Sequence, residues 1–245
     1  MSGVSRLGVV RATGWLDNAP RRAIDIANPW SKRFVWNWLA VVLVGAGALA
    51  GFAKVGGDVL AHESTRFDGA IQTWMLAHQL PSIATIFLWI TSLGGIMGMR
   101  VLALAGAAYL WYRGHRRIAA GVLVVPIVAN ALFEGMKRLY ARPRPLGAGG
   151  RVDSSYAFPS GHATMSAAVC CTLAYVLWRE EIIGARTALA LSIIVPLLVG
   201  VSRLYLNVHW ATDVLGGWSI GLLIAALSAA LYNHHRRRRA TVRAS

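Results

Sequence analysis

Apolar stretches long enough to cross a bilayer recur from one end of this chain to the other, and no other property narrows its fold so far. A spanning helix needs about 20 mostly apolar residues. Residues 34–53 meet this cleanly, with Trp36 and Trp38 placed as interfacial anchors. Further spans are read over 118–136, 161–178, 183–201 and 208–232. The region 82–112 is apolar almost throughout but is interrupted by Gly94-Gly95, Gly98 and Arg100. It reads as an interfacial or re-entrant helix to about Ser92, then a single span over 96–112 with Arg100 snorkelling toward the near surface. Between the first two spans lie a polar stretch, Lys54 to Asp68, and a short amphipathic segment, Gly69 to Leu80, stopped by Pro81. The expected fold is all-α: an integral membrane six-helix bundle with short interfacial helices between spans 1 and 2.

Composition supports the bilayer as solvent. Only 14% of the 245 residues are charged, where a soluble domain carries about a quarter. The net charge of +15 would suggest a nucleic-acid partner on a soluble protein. Here the basic residues sit in short segments beside apolar runs, and no soluble domain is left to read a groove, so nucleic acid is excluded. The basic segments are residues 1–33, Arg113 to Arg117, Arg179 to Arg186 and the tail from His234. Six spans put all four on one side, which the positive-inside rule makes cytoplasmic. The expected organisation is a cytoplasmic N-terminal segment (1–33), a six-span domain (34–232) and a basic cytoplasmic tail (233–245) resting on anionic headgroups. The first apolar run reads as a retained anchor, because the charged region before it is too long for a cleaved signal. Cys170 and Cys171 are adjacent within an apolar run and read as small buried hydrophobes.

Three charged motifs then fall on the opposite face. They are Lys137-Arg138-Leu139-Tyr140-Ala141-Arg142-Pro143-Arg144-Pro145, Pro159-Ser160-Gly161-His162, and Ser202-Arg203 with His209 and Asp213. Ionisable groups beside hydrocarbon are costly and mark function by default. His209 and Asp213 have i, i+4 spacing, which would put both on one helix face. A carboxylate there would fix the imidazole tautomer and free the other nitrogen as a nucleophile. Ser160 is a favoured N-cap, Gly161 permits close backbone approach, and the helix they open would direct its amides at an anion. His162 would stand beside that anion, where a leaving group needs a general acid. Lys137, Arg144 and Arg203 supply positive charge for phosphate oxygens. Arg138, Arg142 and Arg151 read as interfacial anchors, and Glu134 as a salt-bridge partner one turn before Lys137 and Arg138. Besides Glu134, the acids expected near the site are Asp153 and Asp213, too few for two metals.

Together the motifs resemble the type 2 phosphatidic acid phosphatase family, which shares its site with glucose-6-phosphatase and vanadium haloperoxidases. The family pattern Lys-x6-Arg-Pro fits Lys137 to Pro145, Pro-Ser-Gly-His fits Pro159 to His162, and Ser-Arg-x5-His-x3-Asp fits Ser202 to Asp213. The resemblance covers roughly 96–232. It implies His209 as nucleophile forming a phosphohistidine, Asp213 as its orienter, and His162 as general acid. It implies phosphate binding by Lys137, Arg144, Ser160, Gly161 and Arg203, without metal or other cofactor. The expected protein is an inner-membrane enzyme of the bacterial branch, with its site on the outer face. Its expected substrates are undecaprenyl diphosphate, phosphatidylglycerol phosphate, phosphatidic acid or a lipid A phosphate. Undecaprenyl diphosphate stands first among these, although no motif selects it. Two alternatives stay open: a lipid phosphotransferase using the same intermediate, and a non-catalytic binder or transporter of anionic lipids. Oligomeric state is not legible, and residues 54–95 could form either a lid or an interfacial ledge.

Overall fold

Long apolar runs without internal breakers fold as helices, and helices dominate the computed structural model. It describes residues 32–145 and 155–244, with side chains from 35 to 238, and no strand occurs among them. The elements are α1 (Lys32–Leu60), α2 (Thr65–Ala77), α3 (Pro81–Leu93), α4 (Ile96–Tyr112), α5 (Arg116–Tyr140), α6 (Gly161–Arg179), α7 (Ala185–Tyr205) and α8 (Ala211–Ala244). Five are long and apolar enough to cross a membrane: α1, α5, α6, α7 and the Ala211–Arg238 part of α8. The pair α3 and α4, bent by 46° at its break, makes a sixth if taken as one span. Residues 1–31 of the N-terminal segment, Arg151 and Asp153 lie outside the described residues.

The centre of the bundle is α6, buried along nearly its whole length against α5, α7 and α8. At 19 residues it is about 28 Å long, close to the hydrocarbon thickness of a bilayer. Small residues let α8 approach it: a Cβ on Gly221 would stand 2.5 Å from the Ala167 Cβ, and one on Gly217 2.7 Å from the Ser160 carbonyl. Around this line Met99, Phe133, Met165, Val169 and Ile220 form the core. Leu43, Val101, Ile127 and Ile193 instead face outward, as a membrane-embedded surface requires. Pro196 lies inside α7 and, lacking an N–H, frees the Ser192 carbonyl, which accepts from Cys171 Sγ at 3.5 Å. Both cysteines are free thiols packed in the bundle.

Two expected boundaries shift. The first span does not stop at Ala53; α1 continues to Leu60, with Lys54 paired to Asp58 one turn on, so the polar stretch starts as helix. The last helix likewise does not stop at Tyr232; α8 runs on to Ala244, so the basic tail leaves the span as helix. Arg236 is docked rather than free, donating to the Arg179 carbonyl at 2.8 Å and to Tyr232 at 3.0 Å. Tyr232 in turn donates to Glu180 at 2.6 Å, and His115 lies 3.4 Å from the same carboxylate. The basic loops and the tail thus gather at one end of α5, α6 and α8. The three motifs gather at the other.

Candidate active site

The site is assembled from chain segments that cap helices. Lys137 lies in the last turn of α5, buried, with Nζ 3.5 Å from Glu134 and 5.3 Å from the Phe133 ring centroid. The Glu134 bridge expected from sequence is therefore present, while Arg138 is exposed as an anchor would be. Beyond α5 the chain turns through Ala141 at φ 45° and enters Arg142-Pro143-Arg144-Pro145, where each proline favours extended backbone before it. Extension delivers Arg144 to the third motif. Its Nε and Nη2 donate to Ser155 O and Oγ at 2.9 and 2.8 Å. Its Nη1 donates to Val208 O at 2.8 Å and lies 3.2 Å from His209 Nε2.

Ser160 caps α6, its Oγ 3.5 Å from the Ala163 amide, and its own amide donates to the Asp213 carbonyl at 2.9 Å. That bond ties the second motif to the third. Gly161 lies flush against Phe133, whose ring would be 3.0 Å from any added Cβ. His162 extends toward the corner between α3 and α4, where a Cβ on Gly95 would come within 3.1 Å of its Nε2. Arg203, in the last turn of α7, donates to Thr91 Oγ1 at 2.8 Å from that same corner.

His209 and Asp213 meet, but not across a helix face. His209 lies in the turn before α8 and Asp213 in the first turn of α8. Asp213 Oδ2 accepts the Trp210 amide at 2.8 Å, and this capping bond brings His209 Nδ1 to 3.3 Å from the same oxygen. The pairing comes from helix entry rather than helix periodicity. His209 is buried, and burial first, then Arg203, Arg144 and Lys137, holds its imidazole well below the usual histidine range. A neutral ring with Nδ1 toward a carboxylate and Nε2 toward an arginine can present Nε2 to an electrophile. His162 shares this electrostatic neighbourhood with Arg203, His209, Lys137 and Arg144. All eight sequence-derived site residues thus converge at one end of the bundle.

Two sequence expectations fail here. Arg142 is no surface anchor: its side chain is 14% exposed and its Nη1 and Nη2 each lie 2.6 Å from a carboxylate, Asp213 and Asp68 respectively. Asp68, on α2, therefore joins the acids around the site, a residue the sequence alone placed in a polar connection. Buried carboxylates cost too much to leave alone, which is why an arginine fork is drawn in between them. Thr91, Gly95 and Ser155 also line the site unannounced. A signal for Gly95 existed in the Gly94-Gly95 break; Asp68 had none, since 144 residues separate it from its α8 partner Thr212. Residues of the Lys54 to Gly95 connection accordingly contact the site through Asp68, Thr91 and Gly95. Its α2 is also fastened to the third motif by Gln72, which donates to Asn207 at 3.0 Å. Among the described residues, no three His, Cys, Asp or Glu side chains are grouped to hold a metal ion.

The model of the PAP2 superfamily matches residues 118–237, which hold all three motifs. Phosphatidylglycerophosphatase B of Bacillus subtilis is 32% identical over 163 residues, 64% of this chain and 79% of that protein. The chain belongs to the PAP2 superfamily. Undecaprenyl-diphosphatase of Sulfolobus acidocaldarius is 28% identical over 157 residues, 58% of this chain and 72% of its own length. Among solved structures, the transmembrane PAP2-type phosphatidylglycerolphosphate phosphatase from Bacillus subtilis superposes with a TM-score of 0.69. That match has 28% identity and covers 78% of this chain and 96% of the other. This PAP2 protein is a membrane-embedded hydrolase of phosphate monoesters or diphosphates.

Proposed function

We propose that the protein removes phosphate from a lipid phosphate or diphosphate through a phosphohistidine on His209. The observation that carries this reading is the division of the His209 ring, with Nδ1 at 3.3 Å from Asp213 and Nε2 at 3.2 Å from Arg144. An anion gripped by Arg144 would sit in front of Nε2. A nitrogen–phosphorus bond then forms as the bond to the lipid oxygen breaks. Lys137, Arg144 and Arg203, with the amides at the start of α6 beside Ser160 and Gly161, carry the charge on the equatorial oxygens. His162 gives its proton to the departing oxygen and recovers one from the water that cleaves the phosphohistidine. Every cation needed is a side chain, so no metal enters the scheme.

The basic loops lie at the opposite end from the site, which supports cytoplasmic termini and an outward-facing site in the cytoplasmic membrane of a bacterium. Relatives named for phosphatidylglycerophosphate and undecaprenyl diphosphate support a lipid headgroup as substrate. The test is rapid quench of detergent-purified protein with 32P-labelled lipid phosphate, in the presence of a chelator. The expected result is acid-labile, base-stable label on the wild type and none on His209→Ala. Turnover that disappears with the chelator, or survives in His209→Ala, overturns the mechanism.

A further inference from the structure

We propose that Asp68 and Arg142 are positioning residues that hold the Asp213 carboxylate against His209 and couple the α2 ledge to the nucleophile. The proposal rests on the reading of His209 and Asp213 as nucleophile and orienter. Arg142 uses both arms of its fork. Nη1 donates to Asp213 Oδ1 at 2.6 Å and Thr212 Oγ1 at 2.8 Å, and Nη2 donates to Asp68 Oδ2 at 2.6 Å. Asp68 closes the ring from the far side, accepting the Thr212 amide at 2.9 Å on Oδ1 and the Thr212 hydroxyl at 2.7 Å on Oδ2. A carboxylate on α2 thereby caps the N-terminus of α8, where negative charge is favoured.

The geometry leaves Asp213 little freedom. One oxygen is fixed by Arg142 and the other by the Trp210 amide, so the plane presented to His209 Nδ1 is set from both sides. Trp210 is itself held, its Nε1 donating to Pro143 O at 2.9 Å while the Arg142 guanidinium lies 5.6 Å from its ring centroid. Arg142 is also two residues from Arg144, so clamping it helps fix the arginine that faces Nε2.

The charge balance explains why two acids are needed. A guanidinium paired to Asp213 alone would draw off the negative charge that the imidazole needs as it becomes cationic. Asp68 shares that guanidinium, leaving one net negative charge across the two carboxylates and Arg142 to face the developing imidazolium. Structural necessity alone does not account for this arrangement. An apolar contact would join α2 to α8 at lower desolvation cost than an arginine between two buried acids.

A cleft of about 410 Å³ beside α1, α2 and α5 is lined by Asp68, Gln72, Tyr140, Arg142 and Trp210. The pair therefore forms a wall between that cleft and His209, and displacement of α2 would pass to Asp213 through Arg142. Neither Asp68 nor any other part of α2 falls within the segment matched by the superfamily model.

The test is steady-state and quench kinetics on Asp68→Asn, which keeps size and removes charge. The expected result is kcat lowered by about 10- to 100-fold with KM changed less than about threefold, the loss appearing in the rate of 32P incorporation into His209. Arg142→Lys should give the same split, since an ammonium cannot grip both carboxylates. The double variant Asp68→Asn/Arg142→Lys should lose less than the product of the single losses. Wild-type kcat in Asp68→Asn overturns the proposal, as does a loss carried by KM or multiplicative effects in the double variant. If Asp68→Asn does not purify folded, Arg142→Lys decides by the same criterion. A His209→Ala control separates the outcomes: turnover there removes the underlying mechanism, whereas a dead control with a normal Asp68→Asn removes only the positioning role.

Discussion

Replacing Asp213 by Asn tests how tightly His209, the proposed nucleophile, is specified. In the wild type both carboxylate oxygens are met by donors: Oδ1 by Arg142 at 2.6 Å, Oδ2 by the Trp210 amide at 2.8 Å, with His209 Nδ1 at 3.3 Å. An amide must put its NH2 group at one of these positions. At the Oδ1 position it opposes a buried guanidinium, donor against donor. At the Oδ2 position it faces the Trp210 N–H and obliges His209 to accept at Nδ1. The ring proton then sits on Nε2, the atom that faces Arg144, and the nucleophilic lone pair is lost. Either orientation costs about 1–3 kcal/mol for a buried bond left unmade. The neutral amide also no longer balances the cationic ring formed on attack. Together these effects should lower kcat about 1000- to 10,000-fold, equivalent to about 4–5.5 kcal/mol of barrier. The assay is initial-rate phosphate release from a short-chain lipid phosphate in detergent, beside size exclusion and thermal unfolding to establish folding. A folded Asp213→Asn protein within tenfold of wild-type kcat would refute the orienter argument.

Three other expectations concern the acid, the pH profile and the packing. His162→Ala should lower turnover of an alkyl phosphate by about 100-fold or more but that of a nitrophenyl phosphate far less, because a good leaving group needs no proton; equal losses would contradict the general-acid role. Since burial and three cations hold His209 below the usual range of about 6.5, the acidic limb of kcat/KM should fall below that value once substrate ionisation is corrected for. Arg203→Gln removes one of those cations, favours the imidazolium and should move the limb upward; an unmoved limb would detach it from His209. The same shift has a stability sign. The unfolded state binds the His209 proton more readily, so this contribution is present above about pH 6.5 and declines as pH falls through that value, measurable as a falling unfolding temperature. Finally, Gly221→Leu forces side-chain atoms into Ala167 and the Thr164 carbonyl and should cost about 3 kcal/mol, lowering Tm by about 6–12 °C; an unchanged Tm would mean that α6 and α8 can separate freely.

Much of the protein was legible locally because the relevant physics is local. A run of about 20 apolar residues needs no distant partner to be a helix in lipid, and the bounds of α3, α4 and α6 fall close to the positions read from Pro81, the Gly94-Gly95 break and Ser160. The convergence of the three motifs followed from counting spans. The His209 and Asp213 pairing is not local in that sense, since the residues meet through a capping bond to Trp210 and not on a helix face.

By itself, the sequence determined a helical membrane bundle and the three charged motifs that meet at one end of it, because span length and motif spacing are properties of neighbouring residues. Tertiary structure alone decided what supports those residues. Asp68 reaches the start of α8 across 144 positions, Arg142 turns inward between two carboxylates, and the Gly95 corner closes on His162. No periodicity encodes such meetings. They arise where helices lacking side-chain bulk approach closely and where buried charge must find its counter-charge, conditions that exist only once the chain has packed.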